Sequence, residues 1–120
     1  MGRDGQTIKD IHEGFRMKRA AKVDANQKQI VQGLRKAGCS VLILSQVGKG
    51  CPDIAVGFGG YTILMEIKDG SKPPSARKLT PDEEQFFRTW RGSAVVIKSM
   101  DEAIEVINQT IKRDEIRKTK

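Results

Sequence analysis

Two carboxylates and a lysine stand at the ends of two neighbouring apolar runs. Asp53 precedes the run Ile-Ala-Val-Gly-Phe, and Glu66 and Lys68 close the run that follows the Gly59-Gly60 dipeptide. Carboxylate oxygens are the ligands that Mg²⁺ and Mn²⁺ prefer, and a nearby lysine can stabilise negative charge that develops on a reacting group. These residue types therefore indicate metal-assisted hydrolysis of a phosphate ester.

A β-hairpin is the element that must position these side chains. Two strand-like runs separated by Gly-Gly predict a two-residue turn, which places Phe58 opposite Tyr61. The same register places Asp53 opposite Glu66, with Cβ atoms about 5 Å apart. Because side chains alternate along a strand, Glu66 and Lys68 share one face. A single bulge would displace Asp53 from this register.

The other face of the hairpin is apolar and predicts part of the core. Its members are Ile54, Val56, Phe58, Tyr61, Ile63, Met65 and Ile67. On the charged face, two like charges about 5 Å apart repel, and one lysine does not neutralise both. A divalent cation would do so. Taken singly, each residue has an ordinary structural explanation, since Asp after Pro is common in turns and Glu and Lys are common on exposed strand faces.

The composition is that of one small, basic domain. The chain has 120 residues, a net charge of +7, 38% hydrophobic and 31% charged residues. These values exclude a membrane protein and a disordered chain, and the charge favours a phosphate-rich partner. The polar start, residues 1–22, does not resemble a secretory signal, so a cytoplasmic location is expected. Cys39 and Cys51 lack zinc-site spacing and are predicted to be buried or half-buried thiols, and His12 is predicted to lie on the surface.

Periodicity and turn residues predict an α/β fold with a mixed sheet of about four strands flanked by helices, in the order α-β-β-β-α-β-α. Gly38 is expected to end the first helix, and Thr80-Pro81 to open the second with Thr80 as its N-cap. The predicted elements are a helix over residues 20–37, a strand over 39–44, hairpin strands over 53–58 and 61–68, a helix from Thr80, a strand over 94–98 and a helix from Asp101.

The predicted organisation has three parts. Residues 1–19 form a basic N-terminal segment, residues 20–112 a single domain, and residues 113–120 a charged tail that frays from about Lys112. The last helix is expected to pack through one apolar side, formed by Ala103, Ile104, Ile107 and Ile111. The segment of residues 69–78 is predicted to be a long basic loop.

Pro52-Asp53 followed by Glu66-Ile67-Lys68 resembles the PD-(D/E)xK nuclease motif. With Gly50-Cys51, Asp69-Gly70 and Leu79-Thr80-Pro81 around it, residues 24–107 are similar to small VRR-NUC-type and Holliday-junction-resolvase-like members of that superfamily, many of them encoded by phages. The resemblance implies a restriction-endonuclease-like core and Mg²⁺- or Mn²⁺-dependent hydrolysis of DNA. For a phage protein it implies a location in the host cytoplasm.

The resemblance also implies roles for individual residues. Asp53 and Glu66 are expected to be metal ligands with the carbonyl of Ile67 as a third, and Lys68 to be catalytic. Such families often add an acid from the first helix, where Asp24 is the best match. They also often place a glutamine shortly after Leu-Thr-Pro. Glu83 holds that place here, and Gln85 follows two residues later as the candidate helper.

Basic residues around the motif are expected to contact DNA phosphates without reading sequence. They are Lys49, Lys72, Arg77 and Lys78. Tyr61 and Trp90 offer rings for stacking on bases, although core packing is the favoured interpretation of both. Junction resolution would require a homodimer, whereas nicking or flap cutting would not. Two alternatives stay open: an inactive DNA-binding module of the same fold, and a basic scaffold whose charge serves only solubility.

Overall fold

A four-stranded sheet in the order β1-β2-β3-β4 organises the computed structural model, which describes residues 25–119. The strands are β1, Ser40–Ile43; β2, Ile54–Phe58; β3, Tyr61–Ile67; and β4, Ala94–Ile97. Strands β1, β2 and β3 pair antiparallel, and β4 joins β3 in parallel. The predicted α/β class and mixed sheet of about four strands are confirmed.

In the described range, residues 25–119, three α-helices flank this sheet. Helix α1 occupies residues 25–36, α2 Pro81–Thr89 and α3 Met100–Lys118. A short 3₁₀ helix, Pro74–Arg77, interrupts the predicted basic loop. Asp24, His12, the segment 1–19 and the predicted start of the first helix lie outside the described residues. Within residues 25–119, no helix is long and apolar enough to cross a membrane.

The β2–β3 hairpin has the predicted register. Phe58 pairs with Tyr61, and the ladder continues to Ile54 opposite Met65. Gly59 and Gly60 both have positive φ, at 53° and 87°, which a two-residue turn of this hand requires and which side chains with a Cβ rarely adopt. Gly-Gly thus fixes the register that carries residues 53 and 66 to the same end of the hairpin.

The core lies on one face of the sheet, where α1 and α3 pack against it. Its buried members are Ile30, Val31, Leu34, Val41, Ile54, Val56, Ile63, Met65, Ile97, Ala103 and Ile107. Helix α1 ends in a Schellman motif: Cys39 N donates to Leu34 O at 2.9 Å, Gly38 N donates to Arg35 O at 3.0 Å, and Gly38 has φ 104°. The predicted role of Gly38 is confirmed.

Helix α3 is longer than predicted. Its N-cap is Ser99, and it continues to Lys118, so the expectation of a frayed tail from Lys112 is wrong. Asp114 forms ion pairs with Arg117 at 3.3 Å and with Lys118 at 3.1 Å. Such pairs one turn apart, together with basic residues in the last turn, stabilise a helix end that makes few apolar contacts. Ile111, predicted to pack, is 39% exposed.

Candidate functional site

Asp53 caps the open end of the β2–β3 ladder. Continuing the register two residues beyond Ile54 and Met65 sets Pro52 opposite Ile67, and proline has no N–H to donate. The ladder therefore stops, and Asp53 Oδ2 accepts the Ile67 N–H at 2.8 Å. The Ile67 carbonyl is left without the donor that an antiparallel partner would supply. Pro-Asp thus frees one backbone oxygen and places a carboxylate beside it.

Glu66 and Lys68 lie on the face of β3 opposite to Met65. Glu66 is 4% exposed, and among residues 25–119 it is the only buried residue with a charged side chain. Lys68 Nζ lies 3.5 Å from Glu66 Oε2. Isolated buried charges are strongly disfavoured, so this pair needs further partners.

Glu83 supplies one of those partners from the first turn of α2. Its Oε1 accepts from Lys68 Nζ at 2.9 Å and from Thr80 N at 2.9 Å. Thr80 Oγ1 in turn accepts from Glu83 N at 3.2 Å, which completes a capping box. The predicted N-cap at Thr80 is confirmed, and the same carboxylate oxygen that closes the cap also holds the lysine.

Gln85, the predicted helper, does not reach this cluster. It is exposed, and its Oε1 accepts from Arg88 Nη2 at 2.6 Å. Two helical positions turn the side chain by about 200°, so Gln85 points away from the side on which Glu83 meets Lys68. The structure brings Glu83 to the cluster instead.

The cluster carries an excess of negative charge. Burial and the neighbouring charges of Asp53 and Glu83 raise the pKa of Glu66 to about 8. Burial also raises the pKa of Asp53, although the Ile67 N–H works against the shift. Burial acts to lower the pKa of Lys68, but its contacts with Glu83 and Glu66 outweigh burial and raise it. Among the residues that the structure describes, one ammonium therefore faces three carboxyl groups.

The two cysteines are free and half-buried, as predicted. Burial and the charges of Glu66 and Asp53 raise the pKa of Cys51, so its thiol stays protonated at neutral pH. Burial alone raises the pKa of Cys39. Neither thiol is suited to act as a nucleophile.

Helix α2 is set over the cluster by the loop that precedes Pro52. Gly48, Lys49 and Gly50 all have positive φ, at 82°, 55° and 78°. Gly50 lies so close to the start of α2 that a Cβ there would overlap the carbonyl of Asp82. Only glycine permits this approach, which brings Glu83, the next residue of α2, towards the end of β3.

Two side chains of α1 that the sequence analysis did not single out brace the site. Asn26 Nδ2 donates to the carbonyls of Lys68 at 3.2 Å and Lys98 at 3.5 Å, and so ties the ends of β3 and β4 to the helix. Gln27, which is 7% exposed, bonds Ser45 Oγ at 3.1 Å. Gln27 precedes Ile30 by three residues, so both lie on the core-facing side of α1. A polar residue at a core-facing position indicates that its side chain has a hydrogen-bond partner inside the fold.

The predicted phosphate-contacting residues differ in exposure. Lys49, Lys72 and Lys78 are exposed, whereas Arg77 is half-buried and its Nε is buried with no hydrogen-bond partner in the described part of the chain. The charge of Arg77 acts on Glu102 in α3. Arg77 is therefore turned partly towards the protein, and the three lysines are the better placed for phosphates.

The two rings considered for stacking have different surroundings. Tyr61 is half-buried, with its ring centroid 5.6 Å from that of Phe58. Trp90 is 46% exposed and lies outside the buried core, so the favoured core position of Trp90 is wrong. Helix α2 contributes no fully buried residue to the core.

Within the part of the chain that the structure describes, no group of three or more His, Cys, Asp and Glu side chains is arranged to hold a metal ion. Glu83 accepts hydrogen bonds from Lys68 and Thr80, both at 2.9 Å. Of the other two carboxylates in the cluster, Glu66 lies 3.5 Å from Lys68 Nζ, and Asp53 accepts from Ile67 N. The predicted metal ligands include only two such side chains, Asp53 and Glu66, because the third predicted ligand is the backbone carbonyl of Ile67. Comparisons of the chain with models of protein families, with curated proteins and with solved structures find no match.

Proposed function

We propose that this chain is a divalent-metal-dependent DNA endonuclease with a restriction-endonuclease-like core, similar to the VRR-NUC-type members of the PD-(D/E)xK superfamily. One observation carries the proposal. Glu66 is buried beside Asp53 and Glu83, and among residues 25–119 Lys68 is the one ammonium that pairs with it. Burying several carboxyl groups with too little positive charge lowers the stability of a fold. A cluster of this kind therefore indicates a functional role and not a structural one.

The donor set fits Mg²⁺ or Mn²⁺. The carboxylates of Asp53 and Glu66 and the carbonyl of Ile67 are hard oxygen donors, which these ions prefer. A divalent charge would also offset the repulsion that raises the pKa of Glu66. When bound, such an ion polarises a phosphoryl oxygen and acidifies a water molecule. With only three protein donors, positions stay open for a phosphate and for water.

Lys68 has the charge and position for the remaining chemistry. Its ammonium has three donors, and the structure accounts for contacts with Glu83 and Glu66. Its raised pKa keeps it charged at neutral pH, so it donates hydrogen bonds and does not act as a base. We assign it to orienting the attacking water and to stabilising the charge that builds on the phosphate. Exposed Lys49, Lys72 and Lys78 supply affinity for the DNA backbone.

A cleavage panel tests the proposal. Labelled four-way junction, flap, single-stranded and duplex DNA are incubated with Mg²⁺ or Mn²⁺ and with the wild type, Lys68→Ala or Asp53→Ala. Lys36→Ala, which removes an exposed lysine of α1, is the matched control. We expect cleavage by the wild type and the control, and a loss of 10²-fold or more, roughly, in the two site variants.

Two outcomes would contradict the proposal. A wild type that cuts no member of the panel, yet binds DNA in a salt-dependent manner, would identify an inactive DNA-binding module. Equal cleavage by the wild type, Lys68→Ala and Asp53→Ala would identify a contaminating nuclease. Cleavage of junctions with two symmetrical cuts would also require a dimer, which sedimentation in the presence of DNA would detect.

A further inference from the structure

The side of α2 that carries Glu83 continues as an aromatic stripe. Phe86, Phe87 and Trp90 follow Glu83 at spacings of three, four and seven residues, which places all of them on one side of the helix. The two phenylalanines are half-buried and their rings meet edge to face at 6.2 Å. Trp90, the C-cap residue, is the most exposed of the three. The stripe therefore starts at the carboxylate cluster and ends on an exposed indole.

One face of that indole is supported by a second ring, and the residue is partly exposed. The ring of Phe86 stacks on Trp90 with centroids 5.1 Å apart and an angle of 16° between the planes. A Cβ on Gly92 would lie 2.9 Å from Trp90 Nε1, so the backbone at Gly92 fits against that edge. Trp90 is nevertheless 46% exposed, so a large part of its surface is accessible to a partner. An accessible aromatic ring that is backed by a second ring is suited to be a stacking platform.

Charge and distance suit a nucleic-acid strand. Arg88 and Arg91 lie on either side of Trp90 in the chain and are exposed. Arg88 bonds the neutral amide of Gln85, so its charge is not neutralised there. Seven helical positions separate Glu83 from Trp90, a distance of about 10 Å, which equals about three nucleotides at the 3.4 Å spacing of a stacked strand.

We propose that Trp90 stacks on an unpaired nucleobase of the DNA strand whose backbone reaches the carboxylate cluster. This inference rests on the proposed function and narrows its substrate class to DNA with an unpaired base within about three nucleotides of the cleaved phosphate. In an intact duplex both faces of each base are covered by its neighbours, so Trp90 finds no partner there. Stacking tolerates any base, so the contact selects structure and not sequence.

Trp90 is the only tryptophan of the 120-residue chain, so its fluorescence reports on this contact directly. The protein is titrated in EDTA, which prevents metal-dependent cleavage, with an oligothymidylate, an abasic oligonucleotide of equal length and a blunt duplex. Binding of each is followed separately by anisotropy of an end label. We expect quenching of Trp90 by the oligothymidylate and none by the bound abasic strand or the bound duplex.

Variants separate stacking from charge. Trp90→Ala is expected to weaken binding of the oligothymidylate about 10- to 100-fold and to leave binding of the abasic strand unchanged. Trp90→Phe keeps an aromatic face and is expected to retain most of the affinity. Gly92→Ala displaces the indole edge, and its affinity for the oligothymidylate is expected to lie between those of the two Trp90 variants. Ile116→Ala, at an exposed apolar residue of α3, is the matched control and is expected to bind as the wild type does.

The inference is overturned if bound oligothymidylate and bound abasic strand change Trp90 emission equally, or if Trp90→Ala weakens binding of both strands alike. These results are independent of catalysis. Quenching without cleavage on the panel would support the base contact and refute the nuclease. Cleavage by a protein whose Trp90 emission is unaffected by thymidine bases would support the nuclease and refute the base contact.

Discussion

Replacing Glu66 with glutamine removes an ionisable carboxyl group that the fold covers almost completely, and we expect it to stabilise the protein in the presence of a chelator. The side chain is 4% exposed and its pKa is raised from 4.5 to about 8. A carboxyl group whose pKa is higher in the folded state binds its proton more tightly there. Stability therefore falls as the pH rises from about 4.5 to about 8, because the unfolded chain loses this proton while the folded chain still holds it, and the full penalty applies above that range.

The magnitude follows from the two pKa values. Proton linkage with 4.5 in the unfolded chain and about 8 in the folded chain gives a penalty of about 1 kcal/mol at pH 5, about 3 kcal/mol at pH 7 and about 5 kcal/mol at pH 9. Glu66→Gln keeps the shape of the side chain and cannot ionise. The variant should therefore exceed the wild type in free energy of unfolding by about these amounts, with the gain growing as the pH rises.

Urea denaturation at pH 5, 7 and 9 in EDTA, followed by circular dichroism, measures the difference. Glu105→Gln, at an exposed position of α3, is the matched control and should change stability by no more than about 0.5 kcal/mol at each pH. A Glu66→Gln protein that is less stable than the wild type, or a gain that is the same at pH 5 and pH 9, would refute the reasoning. Either result would mean that the buried carboxylate is well compensated by Lys68.

Three further outcomes follow from the same geometry. Millimolar Mg²⁺ or Mn²⁺ should raise the melting temperature of the wild type but not that of Asp53→Ala, as differential scanning fluorimetry would show. Gly50→Ala should destabilise the protein by about 2 kcal/mol more than Gly48→Ala, because both have positive φ but only the first would meet a backbone carbonyl, that of Asp82. Thr80→Ala should lower the free energy of unfolding by about 1 kcal/mol, because the N-cap hydrogen bond is lost. The same variant should lower the cleavage rate, because the cap holds the Glu83 carboxylate that binds Lys68.

Each of these has a result that would count against it. Equal metal stabilisation of the wild type and Asp53→Ala would place the ion elsewhere. Equal losses for the two glycine variants would show that α2 moves away at little cost. A Thr80→Ala enzyme with lowered stability and an unchanged cleavage rate would separate the cap from the position of Lys68.

Local features of the fold were predictable because neighbours in the chain fix them. Gly-Gly between two strand-like runs sets the turn, and the turn sets the register from Phe58 and Tyr61 back to Ile54 and Met65. Gly38 ends α1 and Thr80 starts α2 through hydrogen bonds that span five residues or fewer. The helix after Asp101 was recognised from its apolar spacing, but its end was not, because ion pairs and not apolar residues extend it to Lys118.

The sequence by itself determined the hairpin and, with it, the proximity of Asp53, Glu66 and Lys68. Only the tertiary structure decided that Glu83 and not Gln85 joins them, since that depends on how closely α2 approaches Gly50. It also decided that Glu66 is buried and that Trp90 is exposed. Both depend on how α2 packs against the rest of the chain, which neighbours in the sequence do not fix. The spacing of residues along one helix does not show which of them will contact a loop that is distant in the sequence. The number of carboxylates around Lys68 therefore depends on tertiary packing.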